Sequence, residues 1–258
     1  MANNGKPCLF CQTTDNSSRE HVLRKEMGNL LGLRKGWTHT RWQSLPDADG
    51  MQESSWQLQN SMYDWQVKTV CNPCNNGWMN EIDQAVESIL FDLAEGRTVQ
   101  ITAEQAERLI AWAAKTVAVY ASGEPGESII ARKDLDWIYR SRTAPRAWQV
   151  WVSRANLAAD RQVIARHLRV VIQDEQLGDE AVHATVIAQK SLAIFVRGTA
   201  GMETNEFGMQ SSSVSPIDEH DNRFVQLTRR STADVSLNGR AVLNRDQLLG
   251  AVSAIMSG

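Results

Sequence analysis

From Trp78 to Leu93 the apolar positions Trp78, Ile82, Val86, Ile89 and Leu93 fall four, four, three and four residues apart. That spacing lines one face of a helix. The helix is expected to begin at Asn75 or Asn76, since Asn is a favoured N-cap. Gly96 is expected to end it, as glycine does just past a helix C-terminus. Thr102-Ala-Glu-Gln105 has the form of a capping box and opens a second helix. Its buried stripe is Ala106, Leu109, Ile110, Ala113, Val117 and Tyr120, and the turn chemistry of Ser122-Gly-Glu-Pro-Gly-Glu-Ser128 stops it. A third, short helix is expected over Leu135–Tyr139.

The pattern changes after residue 146. Ala147–Val152, His167–Gln173, Ala181–Gln189, Ser191–Arg197 and Arg223–Thr228 read as strands, two of them rich in β-branched residues, although their apolar–polar alternation is imperfect. The short gap at Lys190 predicts a tight hairpin. Thr199–Asn222 reads as a long polar loop, and Asn244-Arg-Asp-Gln247 as the cap of a final helix reaching Met256. Ahead of the helices, residues 1–75 read as irregular and rich in tryptophan, with Trp37, Trp42, Trp56 and Trp65 expected to build a small core. Within them Trp65–Val70 largely alternates and predicts a strand leading into Cys71.

Composition changes this picture little. The chain has 258 residues, of which 42% are hydrophobic and 22% charged, so it is long enough to bury a real core. No apolar run approaches the ~18 residues of a membrane span. Met1–Lys6 is polar and lacks a hydrophobic signal core, which predicts a cytoplasmic protein with no membrane partner.

Cysteine changes it more. The four cysteines, Cys8, Cys11, Cys71 and Cys74, form two C-x2-C pairs separated by 59 residues. Two short-spaced pairs brought together supply the four thiolates of a tetrahedral structural zinc site. A pair of disulfides is disfavoured in a reducing compartment. A thioredoxin-like redox pair would require a βαβ context, and none surrounds these residues.

In order along the chain stand Cys8-Leu-Phe-Cys11, Ser18-Arg-Glu-His-Val22 and Val70-Cys-Asn-Pro-Cys-Asn-Asn-Gly-Trp-Met79. Over residues 6–95 this order resembles the HNH endonuclease family in its zinc-stapled form. Cys74-Asn-Asn-Gly-Trp-Met79 is similar to bacterial and phage members in particular. The resemblance implies a ββα-metal fold, DNA as partner, and hydrolysis of phosphodiester bonds with His21 as general base. An unperturbed histidine is partly neutral at working pH, which suits that role. Glu20 offers a hard oxygen to a catalytic Mg²⁺ or Mn²⁺, and Asn75 offers its side-chain oxygen to the same ion, separate from the structural Zn²⁺. Asn76 and Asn80 are alternatives to Asn75. His39 is a second candidate base. Glu20 also suits a plain surface pair with Arg24, four residues on, and Asn75 a plain N-cap.

The chain departs from the family pattern in three places. Glu20 replaces the usual Asp before the histidine. Leu23 and Arg24 stand where Pro is frequent. Gln66, Val67 and Lys68 occupy the positions expected to hold the middle Asn, with Asn60 and Asp64 the nearest replacements.

Net charge is −3, so nucleic-acid binding has to come from local clusters. Arg19, Arg24, Lys25, Arg34, Lys35 and Arg41 face only Glu20 and Glu26 in their segment and are the expected phosphate contacts. A second cluster, between Arg132 and Arg169, holds nine basic and three acidic residues. The fold expectation is α+β: a small zinc-stapled ββα-metal HNH domain over 1–97, then a helical segment and an antiparallel-sheet α+β domain over 98–258. A non-enzymatic zinc-stapled binder of nucleic acid or protein is the alternative. The sequence sets no oligomeric state and is compatible with a homodimer.

Overall fold

The structure is a computed structural model. It describes residues 6–14, 18–32, 37–44, 51–58, 62–123, 130–157, 163–174, 178–200, 223–227, 235–236, 242–244, 247–248 and 251. Its elements in chain order begin with β1 (Glu20–His21), α1 (Lys25–Leu30), β2 (Trp37–Ser44), β3 (Met51–Leu58) and β4 (Gln66–Val67). They continue with α2 (Asn72–Cys74), α3 (Asn80–Ala94), β5 (Gln100–Ile101), α4 (Ala103–Gly123) and α5 (Arg132–Ser141). The remaining strands are β6 (Gln149–Ala155), β7 (Val163–Asp174), β8 (Gly178–Gln189), β9 (Leu192–Ala200), β10 (Phe224–Leu227), β11 (Val235–Ser236) and β12 (Val242–Leu243). The architecture is mixed helix and sheet, mainly antiparallel.

The first long helix starts earlier than the periodicity indicates. Cys71, not Asn75 or Asn76, is its N-cap, with φ −82° and ψ 157°. Pro73 sits in the first turn, where its missing N–H breaks no hydrogen bond. α2 runs into α3 through a wider π-type segment, Asn75–Met79, in which Gly77 leaves helical geometry. Gly96, at φ +72°, closes α3 as expected, in a conformation open to glycine at little strain.

The Thr102 capping box forms in full. The Gln105 amide donates to Thr102 Oγ1 at 3.2 Å, and the Thr102 amide to Gln105 Oε1 at 2.9 Å. Every residue of α4 from Leu109 to Ala121 is buried, so the helix is covered all round rather than along one stripe. α5 extends three residues before and two after the short helix expected from Leu135–Tyr139.

The larger sheet runs in the order β10-β6-β9-β8-β7, with β12 pairing β6 in parallel and the other pairs antiparallel. Val150, Val152, Ile194 and Val196 face the helices, while Trp151, Ala193, Phe195 and Val186 face a second apolar cluster with Phe224, Leu243 and Leu248. Strands covered on both faces read as near-continuous apolar runs, which is why their alternation is imperfect. The hairpin expected at Lys190 is present. β8 and β9 are joined by Lys190 and Ser191, with Lys190 at φ +48°.

The irregular reading of residues 1–75 needs correction. β2 and β3 pair along eight residues each, with His39 opposite Trp56 and Trp42 opposite Glu53. Threonine, serine and glutamine fill much of this hairpin, so it carries no clean hydrophobic period. Trp65–Val70 forms a strand only at Gln66–Val67. Beyond it the Thr69 carbonyl accepts from the Leu9 amide at 2.6 Å and the Val70 carbonyl from the Ser18 amide at 2.8 Å, so the run is split between two partners. The long loop beyond Ala200 up to Asn222 and most of the final helix lie outside the described residues. The cap of that helix is present, with the Gln247 amide donating to Asn244 Oδ1 at 2.9 Å.

One buried cluster contains Cys8, Phe10, Val86, Tyr120 and Ile194 together, spanning both sides of residue 97.

Candidate metal centre and the strand–helix unit beside it

Two turns bring the cysteines together. Leu9–Cys11 turns back on itself, the Gln12 amide donating to the Cys8 carbonyl at 3.1 Å. Cys71 and Cys74 flank one turn at the start of α2. The Sγ atoms of Cys8, Cys11, Cys71 and Cys74 all lie within 4.8 Å of one another. Cys11 Sγ and Cys71 Sγ are 3.5 Å apart, and none of the four is in a disulfide. A tetrahedron with Zn–S near 2.3 Å sets its sulfurs about 3.8 Å apart, so the donor set fits a structural Zn²⁺.

The thiols respond differently to their surroundings. Burial pushes Cys8 up, but the amides of Cys11, Cys71 and Phe10 outweigh it and bring the thiol down to about 7. One of these contacts is the Cys71 amide donating to Cys8 Sγ at 3.4 Å. Burial raises Cys71 to about 11 and also raises Cys74. Amides aimed at a sulfur favour its thiolate, the form that binds metal.

The knuckles are fastened to the rest of the chain. Arg132 of α5 donates to the carbonyls of Leu9 and Phe10 at 2.7 and 2.6 Å. Phe10 meets Trp78 edge-on at 5.0 Å, and the Arg142 guanidinium lies over the Trp78 ring at 4.3 Å.

Beside the cluster, β1 pairs antiparallel with β4, Glu20 opposite Val67 and His21 opposite Gln66. Chain and helix then meet through Asn75, whose side-chain amide donates to Ser18 Oγ at 3.1 Å, while Ser18 Oγ donates to the Val70 carbonyl at 3.0 Å.

Glu20 and His21 point to opposite sides of β1. Glu20 is 6% exposed and faces the helices. Burial raises its carboxyl to about 7, against the pull of Lys115 and with the push of Asp83. Lys115 and Asp83 are themselves a buried ion pair at 2.6 Å. His21 is half-buried, and its Nε2 lies 2.8 Å from Gln66 Nε2. The Gln66 carboxamide thus engages Nε2 of the ring and leaves Nδ1 outside this contact. Burial and then Lys25 lower the His21 pKa, with Glu26 and Asp64 opposing, so the ring is neutral at pH 7.

Among the described residues no hydrogen bond or ion pair joins His21 to Glu20 or Asn75, and the four cysteines are the one group of three or more His, Cys, Asp or Glu placed to share an ion. A hard dication takes several oxygen ligands. Glu20 lies in the field of Lys115 and Asp83, and the Asn75 amide donates to Ser18 Oγ. Asn76 is exposed and Asn80 half-buried.

The basic residues expected to contact phosphate are scattered in role. Arg24 is held by Glu87 at 2.6 Å and Glu26 at 3.3 Å. Arg19 and Lys25 are exposed. Arg34 and Lys35 lie outside the described residues, and Arg41 and the candidate base His39 are described in backbone alone, within β2.

Three residues around this unit escape sequence reasoning. Gln66 reads in the sequence only as the occupant of a place expected to hold Asn. Lys115 and Asp83 belong to no motif in the sequence. A lysine within the apolar run Leu109–Ala121 is the available signal, because burying an ammonium requires a partner.

Comparison with models of known families, with curated proteins and with solved structures finds no match for this chain.

Proposed function

We propose that the chain is an HNH-type endonuclease that hydrolyses phosphodiester bonds in DNA, with a structural Zn²⁺ at Cys8, Cys11, Cys71 and Cys74. One observation carries the reading. A neutral, half-buried histidine stands on the first of two antiparallel strands, and the helix after the second strand starts inside the four-cysteine cluster. This order and pairing supports reading the unit as a ββα-metal arrangement.

In this reading His21 takes a proton from the attacking water. Its pKa, held below the ordinary value, favours the neutral ring at neutral pH, and Nδ1 is the nitrogen that the Gln66 contact leaves to the water. Gln66 orients the ring from the neighbouring strand, the place the absent Asn would otherwise fill. Zinc, when bound, ties the first knuckle to the helix start. Asn75 joins that helix start to Ser18, two residues before Glu20. The need for Mg²⁺ or Mn²⁺ belongs to the proposal and is read directly from cleavage with and without the ion.

The burial of Glu20 against Lys115 and Asp83 favours a second reading. In it the unit is a zinc-stapled binder of nucleic acid or protein with no hydrolytic centre. Supercoiled plasmid incubated with Mg²⁺ or Mn²⁺ separates the two. The nuclease reading expects nicking by wild type and none by His21→Ala at unchanged zinc content. An inert wild type, or equal cleavage by the variant, defeats it.

A further inference from the structure

α5 presents a stripe that the site above does not use. Lys133, Trp137 and Arg140 stand at i, i+4 and i+7, which places them on one helical face over about 10 Å. Lys133 and Arg140 are exposed and Trp137 is half-buried. The exposed Arg146 folds back so that its guanidinium lies over the Trp137 ring at 5.8 Å. The loop that carries Arg146 is pinned by the Trp137 indole N–H, which donates to the Ala144 carbonyl at 3.0 Å.

The acidic residues of this helix are engaged elsewhere. Asp136 is bound by Arg132, at 3.0 Å through Nε. Asp134 is buried and accepts from the Trp148 indole at 3.2 Å. Among the described residues, neither Arg140 nor Arg146 is within salt-bridge reach of a carboxylate, although Asp136 feels the charge of Arg140. Their cations are thus directed to solvent.

The stripe is also fixed in place. Arg132, one residue before it, is the side chain that clasps the carbonyls of Leu9 and Phe10 in the first knuckle. A row of cations around an aromatic face, rigidly joined to a zinc knuckle, matches a polyanion with regularly spaced charges. Two further observations select nucleic acid over an anionic membrane. The exposed large hydrophobic residues among those described are Leu30 and Val242, neither of them on α5, so this face offers nothing to insert into lipid. The exposed cations Arg140 and Arg146 are guanidiniums, Arg146 over the Trp137 ring at 5.8 Å, and guanidinium N–H groups pair with phosphate oxygens in a two-pronged fork.

We propose that Arg140 and Arg146, arranged around Trp137, grip the phosphate backbone of nucleic acid and hold it beside the first knuckle. This rests on the nuclease reading for its partner, and it moves the main docking surface from the Arg19–Arg41 segment to α5.

The test is fluorescence anisotropy of the full chain with a labelled mixed-sequence duplex of about 20 base pairs. The buffer is free of chelator and divalent ion, and salt runs from about 50 to 200 mM. The variants are Arg140→Ala/Arg146→Ala and, for comparison, Arg19→Ala/Lys25→Ala. Zinc content and thermal midpoint of each should equal wild type, as expected for exposed side chains. Removing one cation from the phosphate backbone should flatten the logarithmic salt slope by about one. The α5 double variant should therefore bind about tenfold more weakly, with a slope flatter by about two. Unchanged affinity and slope in that variant overturn the inference, whatever the Arg19/Lys25 variant does. A wild type that binds no duplex but binds anionic vesicles or an acidic polypeptide also overturns it. Duplex binding through α5 without any cleavage leaves the inference standing while the nuclease reading falls.

Discussion

Lys115 and Asp83 form a 2.6 Å ion pair between α4 and α3, with the lysine 2% exposed. Glu20 of β1 lies in the field of both. Three ionisable groups from three elements thus share one interior position, where the helices meet the strand that carries His21. A buried pair adds little net stability, but removing one partner strands the other charge out of water.

Lys115→Met should lower the unfolding free energy by about 3–5 kcal/mol, because Asp83 then keeps its charge without a counterion. Urea unfolding followed by circular dichroism reads the loss. Lys115→Met combined with Asp83→Leu should recover most of it. A double variant as unstable as the single one would show that packing, not charge, sets the effect.

The cysteine cluster predicts about one zinc per chain by elemental analysis. Cys71→Ser should abolish stoichiometric zinc and melt the knuckle region, since structural zinc contributes folding energy directly. A strong chelator should do the same to wild type. Full thermal stability in the metal-free protein would remove zinc from the structural account.

Gln66→Ala tests the contact to His21 apart from the base itself. On the proposed nuclease reading, His21→Ala should reduce cleavage by about 10²–10⁴-fold, the usual loss of a positioned base. Gln66→Ala should reduce it less, and should shift the acid limb of the pH–rate profile, because the hydrogen bond orients the ring and takes no part in the reaction. Gln66→Asn, which keeps the amide, should retain more activity than Gln66→Ala.

His183 makes stability depend on pH. Complete burial, and then the nearby His167, hold its pKa well below 6.5, so the native state keeps it neutral. The unfolded chain takes up that proton below about 6.5 while the native state does not, so stability is full above 6.5 and falls as pH drops. The contribution lost by pH 5.5 is about 1.4 kcal/mol. Urea unfolding at pH 5.5 and 7.0 measures it, and His183→Gln should flatten the difference. A Cβ at Gly198 would lie 2.1 Å from His183 Nε2. Gly198→Ala should therefore be strongly destabilising at every pH.

Two kinds of information are legible in the chain. The spacing of Ile82, Val86, Ile89 and Leu93 and the Thr102–Gln105 box place α3 and α4, because local backbone hydrogen bonds and one apolar face suffice to define a helix. The paired C-x2-C spacing places the four-cysteine cluster, since a tetrahedron of sulfurs can be built from two short turns wherever the chain closes the gap. The β2–β3 hairpin is not legible. Its residues are largely polar and its pairing is a backbone matter.

The sequence by itself determined the two long helices, the strand-rich second half and the four-cysteine group, all of which follow from local periodicity or from residue type. Only the tertiary structure decided which way adjacent side chains face and what meets them. Glu20 and His21 are neighbours in sequence, yet strand alternation sends one to Lys115 and Asp83 and the other to Gln66. Arg24 reads in the sequence as a phosphate contact, yet α3 brings Glu87 to it at 2.6 Å. Arg132 is one of nine basic residues in its segment, yet it clasps the first knuckle across more than a hundred residues. A charge pattern records which residues are present, whereas partnership depends on long-range packing, and it is packing that left Arg140 and Arg146 open to solvent.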